Sequence, residues 1–337
     1  MSDTNTKTRT QRIVNSKQFR NGEFVNISPT SMKADDVSYA KLAIRAAKRP
    51  SDSRPSKPLP SIKTDLKNIN DDNPVIIWFG HSSYLIRYRG KNILVDPVFS
   101  GHASPVSFMV KAFPGANTYG VDDMPVIDVL LITHDHYDHL DTHTIKSLKS
   151  KTKSIVTSLG VGAFLETLVP GVPITELDWW ESFSLEDVHF TACPARHFSG
   201  RTLRRNRTLW SSFVIQYPGY SIYAGGDSGY DHFFKQIGQK YGPFDLAILE
   251  CGQYNEMWPQ IHMMPEETAK AAKDLNAKYL LPVHWGKFAL SVHSWMEPVK
   301  RVKIAADELH LKITTPRFGE KIILNEIYPD KTWWLEA

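Results

Sequence analysis

The apolar run Val129–Ile132 passes through Thr133 directly into His134-Asp135-His136-Tyr137-Asp138-His139. The run is short and branched enough to be a buried strand. His134, His136, Asp138 and His139 follow the spacing His-x-His-x-Asp-His. Neither a helix nor a regular strand puts positions i, i+2, i+4 and i+5 on one face. A loop leaving a strand end can aim all four at one centre. Imidazole nitrogen with carboxylate oxygen suits zinc, and also iron or manganese. The bland alternative, a polar loop that happens to be rich in histidine, fits poorly with a position just after an apolar strand, where α/β sites lie.

Three further ligand types follow strand-like runs. His197 comes after Val188–Cys193, Asp227 after Tyr220–Ala224 and two glycines, and His284 after Tyr279–Val283. Seven ligands are about what two metals sharing an aspartate need, with room for a water between them. One such histidine alone would more often be a hydrogen-bonded core residue.

The 337 residues fit one large domain with an extension. We expect a basic N-terminal extension over residues 1–72 and a hydrolase domain over 73–337. Residues 1–70 carry 14 Lys and Arg against 6 Asp and Glu; the remainder carries 26 against 30. Residues 1–31 show no sustained period and read as irregular. Residues 31–49 read as a helix capped by Ser31, and residues 50–60, with four prolines, as a linker. Such an arm suits an anionic membrane surface, or is a solvated tail. It is expected to tune membrane contact and leave the chemistry untouched, since every ligand lies beyond residue 130. No apolar run approaches a membrane span, and the opening residues lack a signal-peptide core, so the expected compartment is the cytoplasm, at most peripheral to a membrane. Cys193 and Cys251 match no metal or redox spacing and read as reduced thiols.

Larger pieces of the sequence resemble a known family. Trp78-Phe79-Gly80-His81, Asp96-Pro97-Val98-Phe99-Ser100, His136-Tyr137-Asp138-His139-Leu140-Asp141, Asp178-Trp179-Trp180, Gly225-Gly226-Asp227-Ser228-Gly229-Tyr230 and Val283-His284-Trp285-Gly286 resemble the N-acylphosphatidylethanolamine-hydrolysing phospholipase D family of the metallo-β-lactamase superfamily. The resemblance spans about residues 75–290. It implies an α/β fold, the αβ/βα sandwich of two sheets with helices on the outer faces. It implies two Zn2+, one held by His134, His136 and His197, the other by Asp138, His139 and His284, with Asp227 between them. It implies hydrolysis of N-acylphosphatidylethanolamine to N-acylethanolamine and phosphatidate, by attack of a hydroxide held between the ions.

The resemblance also matches His262 to a family histidine near the substrate phosphate. His262, Tyr137 or a metal-bound water can protonate the leaving oxygen, and the sequence does not choose. Asp138 belongs to the catalytic set as a ligand. Arg201, Arg204, Arg205 and Arg207 can hold an anionic substrate at the site mouth, and Trp179 or Trp180 can face the site; a solvated loop and two core tryptophans are the plain alternatives. His81 is placed to support the site from behind. The sequence departs from the family at Asp135 and at the basic loop after His197, which bears on lipid specificity. A lactonase or other ester hydrolase and a metallo-ribonuclease are the competing activities. Nucleic acid is disfavoured because the basic charge lies on the arm. A non-enzymatic binding module is disfavoured because all seven ligand positions are filled. Oligomeric state is not readable.

Overall fold

The computed structural model describes residues 2–34, 37, 38, 40, 44, 48–70, 72–201 and 204–336. The chain opens with helix α1 (Ser2–Asn15) and a hairpin, β1 (Phe19–Arg20) with β2 (Glu23–Phe24). Strands β3 (Val75–Trp78), β4 (Tyr84–Tyr88), β5 (Lys91–Val95), β6 (Val129–Ile132), β7 (Ile155–Ser158) and β8 (Ile174–Leu177) follow. Helix α2 (Thr142–Leu148) sits after β6 and α3 (Gly162–Leu168) after β7. Then come β9 (Ser182–Leu185), β10 (Val188–Cys193), β11 (Ser212–Tyr217), β12 (Tyr220–Ala224), α4 (Phe233–Tyr241), β13 (Leu246–Glu250), α5 (Pro265–Asp274), β14 (Tyr279–Val283), α6 (Glu297–Glu308), β15 (Lys312–Ile313) and β16 (Lys321–Ile323).

Two seven-stranded mixed sheets form, ordered β16-β3-β4-β5-β6-β7-β8 and β15-β14-β13-β12-β11-β10-β9. Strand alternation explains how they stack. In β3 and β6, Ile76, Trp78, Val129 and Leu131 join the core shared with the second sheet. Their neighbours Val75, Ile77, Leu130 and Ile132 join a second core with Ile145 and Leu148 of α2 and Leu165 of α3. Successive side chains point to opposite faces, so a strand apolar at every position is buried on both. Phe233 and Ile237 of α4, Ala269 and Ala272 of α5 and Val299 and Val302 of α6 pack against the second sheet. The result is the expected αβ/βα sandwich.

The N-terminal segment departs from expectation. Residues 2–15 are helical, not irregular. The helix carries almost no apolar stripe, so its sequence does not announce it; what holds it is tertiary. Arg9 pairs with the buried Glu176 and, at 2.6 Å, with Glu166. Ile13 and Phe19 pack on the cluster of Leu159, Trp179, Leu209 and Trp210. Ser31 starts no helix, because residues 32–34 are not helical; its N–H donates to Gln260 Oε1 at 2.6 Å, and residues 35, 36, 39, 41–43 and 45–47 of the helix expected over 31–49 lie outside the described residues. Strands β8, β9, β15 and β16 were not expected. Among the described residues, no helix is long and apolar enough to cross a membrane.

Candidate metal centre

β5 and β6 run parallel, as do β12, β13 and β14, while β3 and β10 match their neighbours' direction through two antiparallel steps each. The carboxyl ends of all these strands therefore meet at one edge of the sandwich. His81, Asp96, His134, His197, Asp227, Glu250 and His284 all lie at or just beyond those ends. Gly225 and Gly226 lead to Asp227 because nothing larger fits: a Cβ would stand 2.7 Å from Ile248 O at the first and 2.7 Å from Ser211 O at the second. His81, Asp96 and His284 take positive φ values of 53°, 40° and 66°, strained for such residues. The turns at His81 and His284 lock together through His284 N–H to His81 O and His81 N–H to Trp285 O, both 3.0 Å.

His136 Nδ1 lies 2.9 Å from His134 Nε2 and 3.2 Å from His197 Nε2. Three nitrogens around one tetrahedral zinc stand about 3.3 Å apart, so this triplet has the spacing of a metal face. The other ring nitrogens are committed elsewhere: His134 Nδ1 to Thr133 Oγ1 at 3.0 Å and His197 Nδ1 to Ile261 O at 2.8 Å. Burial, then the neighbouring His139 and His136, hold His134 well below the ordinary imidazole value, and burial does the same for His197. Neutral imidazole is the ligating form.

A second set gathers around Asp138 Oδ2, with His284 Nε2 at 3.5 Å and His139 Nε2 at 3.7 Å. Asp227 lies between the sets. Its Oδ1 is 3.2 Å from His139 Nε2 and against His284 Nδ1; its Oδ2 is 3.8 Å from His134 Nε2 and 3.7 Å from His197 Nε2. Burial would raise Asp227, but His139 and then His284 hold it well below the usual carboxylate range. His139 Nε2, both nitrogens of His284 and Asp227 Oδ1 are buried without a hydrogen bond. Buried polar atoms without hydrogen bonds need another partner, and a divalent ion in the second set would provide it. His134, His136, His197 and Asp227 form one potential metal group, and Asp138, His139 and His284, with His81, another.

The family model described as Beta-lactamase superfamily domain matches residues 91–285. The chain belongs to this superfamily. An uncharacterized protein of Mycobacterium tuberculosis is 38% identical over 95% of this chain and 87% of that one. A mitochondrial N-acyl-phosphatidylethanolamine-hydrolyzing phospholipase D of Saccharomyces cerevisiae is 34% identical over 68% of this chain and 51% of its own length. Igni18, a metallo hydrolase from Ignicoccus hospitalis, shares the fold, with a TM-score of 0.57 and 18% identity over 74% of this chain and 97% of that one. The protein is a metal-dependent hydrolase of the beta-lactamase superfamily.

In this beta-lactamase superfamily member a layer of residues behind the ligands holds them, and little in the order of residues announced it. Asp96 accepts from Thr133 N at 2.9 Å and Thr133 Oγ1 at 2.6 Å, and lies 2.7 Å from His139 Nδ1. It turns His139 Nε2 toward Asp138 and Asp227. His81 Nε2 meets Asp138 Oδ2 at 2.9 Å, as its expected supporting place requires; burial, then His284, push it down to about 3. Glu250, the last residue of β13, is fully buried. Its Oε2 lies 2.7 Å from His262 Nδ1 and 3.5 Å from His284 Nδ1, while Oε1 accepts from Ser228 N at 2.8 Å. A glutamate closing an all-buried strand was the available signal.

His262 lines the cleft over the metal ligands. Tyr137 does not: its hydroxyl donates to Arg201 O at 2.8 Å and its ring lies 4.0 Å under the Arg201 guanidinium. Arg201 is likewise turned from the mouth. Its Nη1 donates to Asp135 O and Leu140 O, both at 2.8 Å, and its Nη2 to Thr142 Oγ1 at 3.0 Å. It clamps the ligand loop to the start of α2. Trp179 is buried, with its indole N–H on Trp210 O at 2.8 Å. Arg204 is exposed and does not line the cleft; Arg205, from the same loop, does.

The cleft has a volume of about 330 Å³. His136, Asp138, His197, Asp227 and His284 make its floor, and Phe198, Trp258, Ile261 and Leu290 its apolar walls. Met32 and Lys33 of the N-terminal arm line it too. The arm is thus part of the site, against expectation. Asn26 brackets His197, donating to its O at 2.8 Å and accepting from its N at 3.0 Å.

Proposed function

We propose that the protein is a binuclear zinc phosphodiesterase that hydrolyses N-acylphosphatidylethanolamine-type phospholipids to N-acylethanolamine and phosphatidate. The observation that carries this reading is Asp227, with one oxygen toward each of two nitrogen-rich ligand sets. Two such ions, when bound, would supply an acidified water as nucleophile and neutralise the phosphoryl oxygens. His134, His136, His197 and Asp227 would hold one, and Asp138, His139, His284 and Asp227 the other. The bond between phosphorus and the N-acylethanolamine oxygen breaks, and the water oxygen remains on phosphatidate. His262, oriented by Glu250 and facing the cleft, is the group placed to give the departing oxygen its proton. Apolar walls beside the polar floor suit an acyl-bearing diester. The name of the yeast relative supports the same substrate.

A lipid substrate also calls for contact with a bilayer. Phe108 and Met109 are 73% and 51% exposed on the loop before Lys111. That loop's Val110 and Ala112 pack with Phe288 and Leu290, and Leu290 reaches the cleft. Arg54, donating to Lys111 O at 3.0 Å, brings basic charge beside the apolar tip, a pairing that suits an anionic membrane surface. The deciding assay offers the metal-loaded protein N-acylphosphatidylethanolamine, a lactone and an RNA. Release of N-acylethanolamine is expected. Turnover of the lactone or RNA alone would overturn the reading.

A further inference from the structure

The rim of the cleft carries two cations that the chemistry at its floor does not use. Lys33 comes from the N-terminal arm and Arg205 from the loop after β10, and both line the same cavity as the metal ligands. Arg205 and the backbone that carries Lys33 are held from behind. Arg205 Nη1 approaches Met32 Sδ at 2.9 Å, and its guanidinium carbon lies 5.5 Å from the Phe198 ring centroid. The arm around Lys33 is pinned on both sides: Ser31 N–H donates to Gln260 Oε1 at 2.6 Å and Ala34 N–H to Met257 O at 2.8 Å. Cations fixed in advance lose less freedom when they meet an anion.

A phosphodiester has one negative charge, which metals at the floor neutralise. Two more cations at the rim then face whatever protrudes from phosphorus. We infer that Lys33 and Arg205 form an anion subsite beside the diester position, able to take a carboxylate or phosphate that N-acylphosphatidylethanolamine itself lacks, so that a diester bearing such a second group binds more tightly than a singly charged one. This rests on the phosphodiesterase reading only for which end of the ligand sits on the floor.

The test is binding, measured by titration calorimetry on the full-length, metal-loaded protein. The probes are phenyl methyl phosphate, with one charge, and phenyl 2-carboxyethyl phosphate, with two. Wild type should favour the second by about tenfold or more, the scale of a hydrogen bond to a charged group. In K33M/R205M, with metal content and circular dichroism matching wild type, that ratio should fall toward one. K33Q and R205Q, tested singly, should each lose part of it. No preference in wild type, a preference that persists in the double variant, or no binding of either probe would each overturn the subsite. Turnover is scored separately on the same samples. A preference lost in the double variant, with neither probe hydrolysed by wild type, keeps the subsite and removes the phosphodiesterase reading.

Discussion

Glu250 Oε2 stands 2.7 Å from His262 Nδ1, and Glu250 Oε1 accepts the backbone N–H groups of Ser228 at 2.8 Å and Met263 at 3.3 Å. The carboxylate needs both oxygens as acceptors, and an amide offers one. Glu250→Gln should therefore loosen His262. We expect kcat to fall by about tenfold or more with little change in KM. His262→Ala should cost on the order of 10²- to 10⁴-fold. The double variant should be no slower than His262→Ala alone, because Glu250 acts through that ring. Additive losses would show that Glu250 serves the metals instead.

Asp227→Asn should keep the fold and lose a metal. Elemental analysis of purified, unchelated protein should give near two equivalents, chiefly zinc, for wild type and near one for the variant. Turnover should fall by about 10²-fold or more, since an amide cannot serve both ligand sets. Two bound metals with full turnover in the variant would remove Asp227 from its bridging place.

Lys287 gives a pH dependence unrelated to catalysis. It is fully buried, and donates to Val98 O at 2.8 Å and Phe79 O at 3.3 Å. Burial pushes it down from 10.5 to about 7. Between pH 7 and 10.5 the unfolded chain therefore binds the extra proton, and stability rises with pH across that window. Lys287→Met removes this group. The stability of wild type relative to the variant, from denaturant unfolding, should increase from pH 7 to pH 10. A flat difference would show that the ammonium stays charged in the fold.

Arg9→Ala should destabilise the protein although Arg9 does not line the cleft. Glu176 is buried and accepts Gly160 N–H at 2.7 Å and Gly162 N–H at 3.0 Å, with Arg9 as its cation. Losing one partner of a buried pair costs about 3–5 kcal/mol. Arg9→Ala with Glu176→Gln should recover part of the loss in thermal unfolding.

The proposed bilayer contact makes a separable prediction. Phe108→Asp with Met109→Asp should reduce sedimentation with anionic vesicles, while turnover of a short-chain soluble diester stays within about twofold. Unchanged sedimentation would assign the contact to another surface.

The sandwich was legible, and so were the places where His134, His197, Asp227 and His284 follow their strands, because each comes after a run whose apolar pattern declares a buried strand. Val129–Ile132 before His134 and Tyr279–Val283 before His284 needed no partner to be recognised. Arg201 was misread because charge on a loop says nothing about burial; only the fold shows Asp135 O, Leu140 O and Thr142 closing on it. Helix α1 was missed because Arg9 is explained by Glu166 and Glu176, far along the chain. Glu250 was missed because strand-end glutamates are commonplace, and its meaning comes from His262 across a turn.

The clasp of the N-terminal arm sets an order of assembly during synthesis. Arg9 meets Glu176 across 167 positions, and Ser31 meets Gln260 across 229. Arg9 and Ser31 are thus made long before the surfaces they dock on. At ~5–20 residues per second, Lys33 waits on the order of ten seconds or more before the wall it leans on has been made. A nascent chain released before Gln260 emerges would have its first metal triplet, His134, His136 and His197, in hand, but neither His262 nor His284 and no finished mouth. The second ligand set is therefore withheld until His284 has been made.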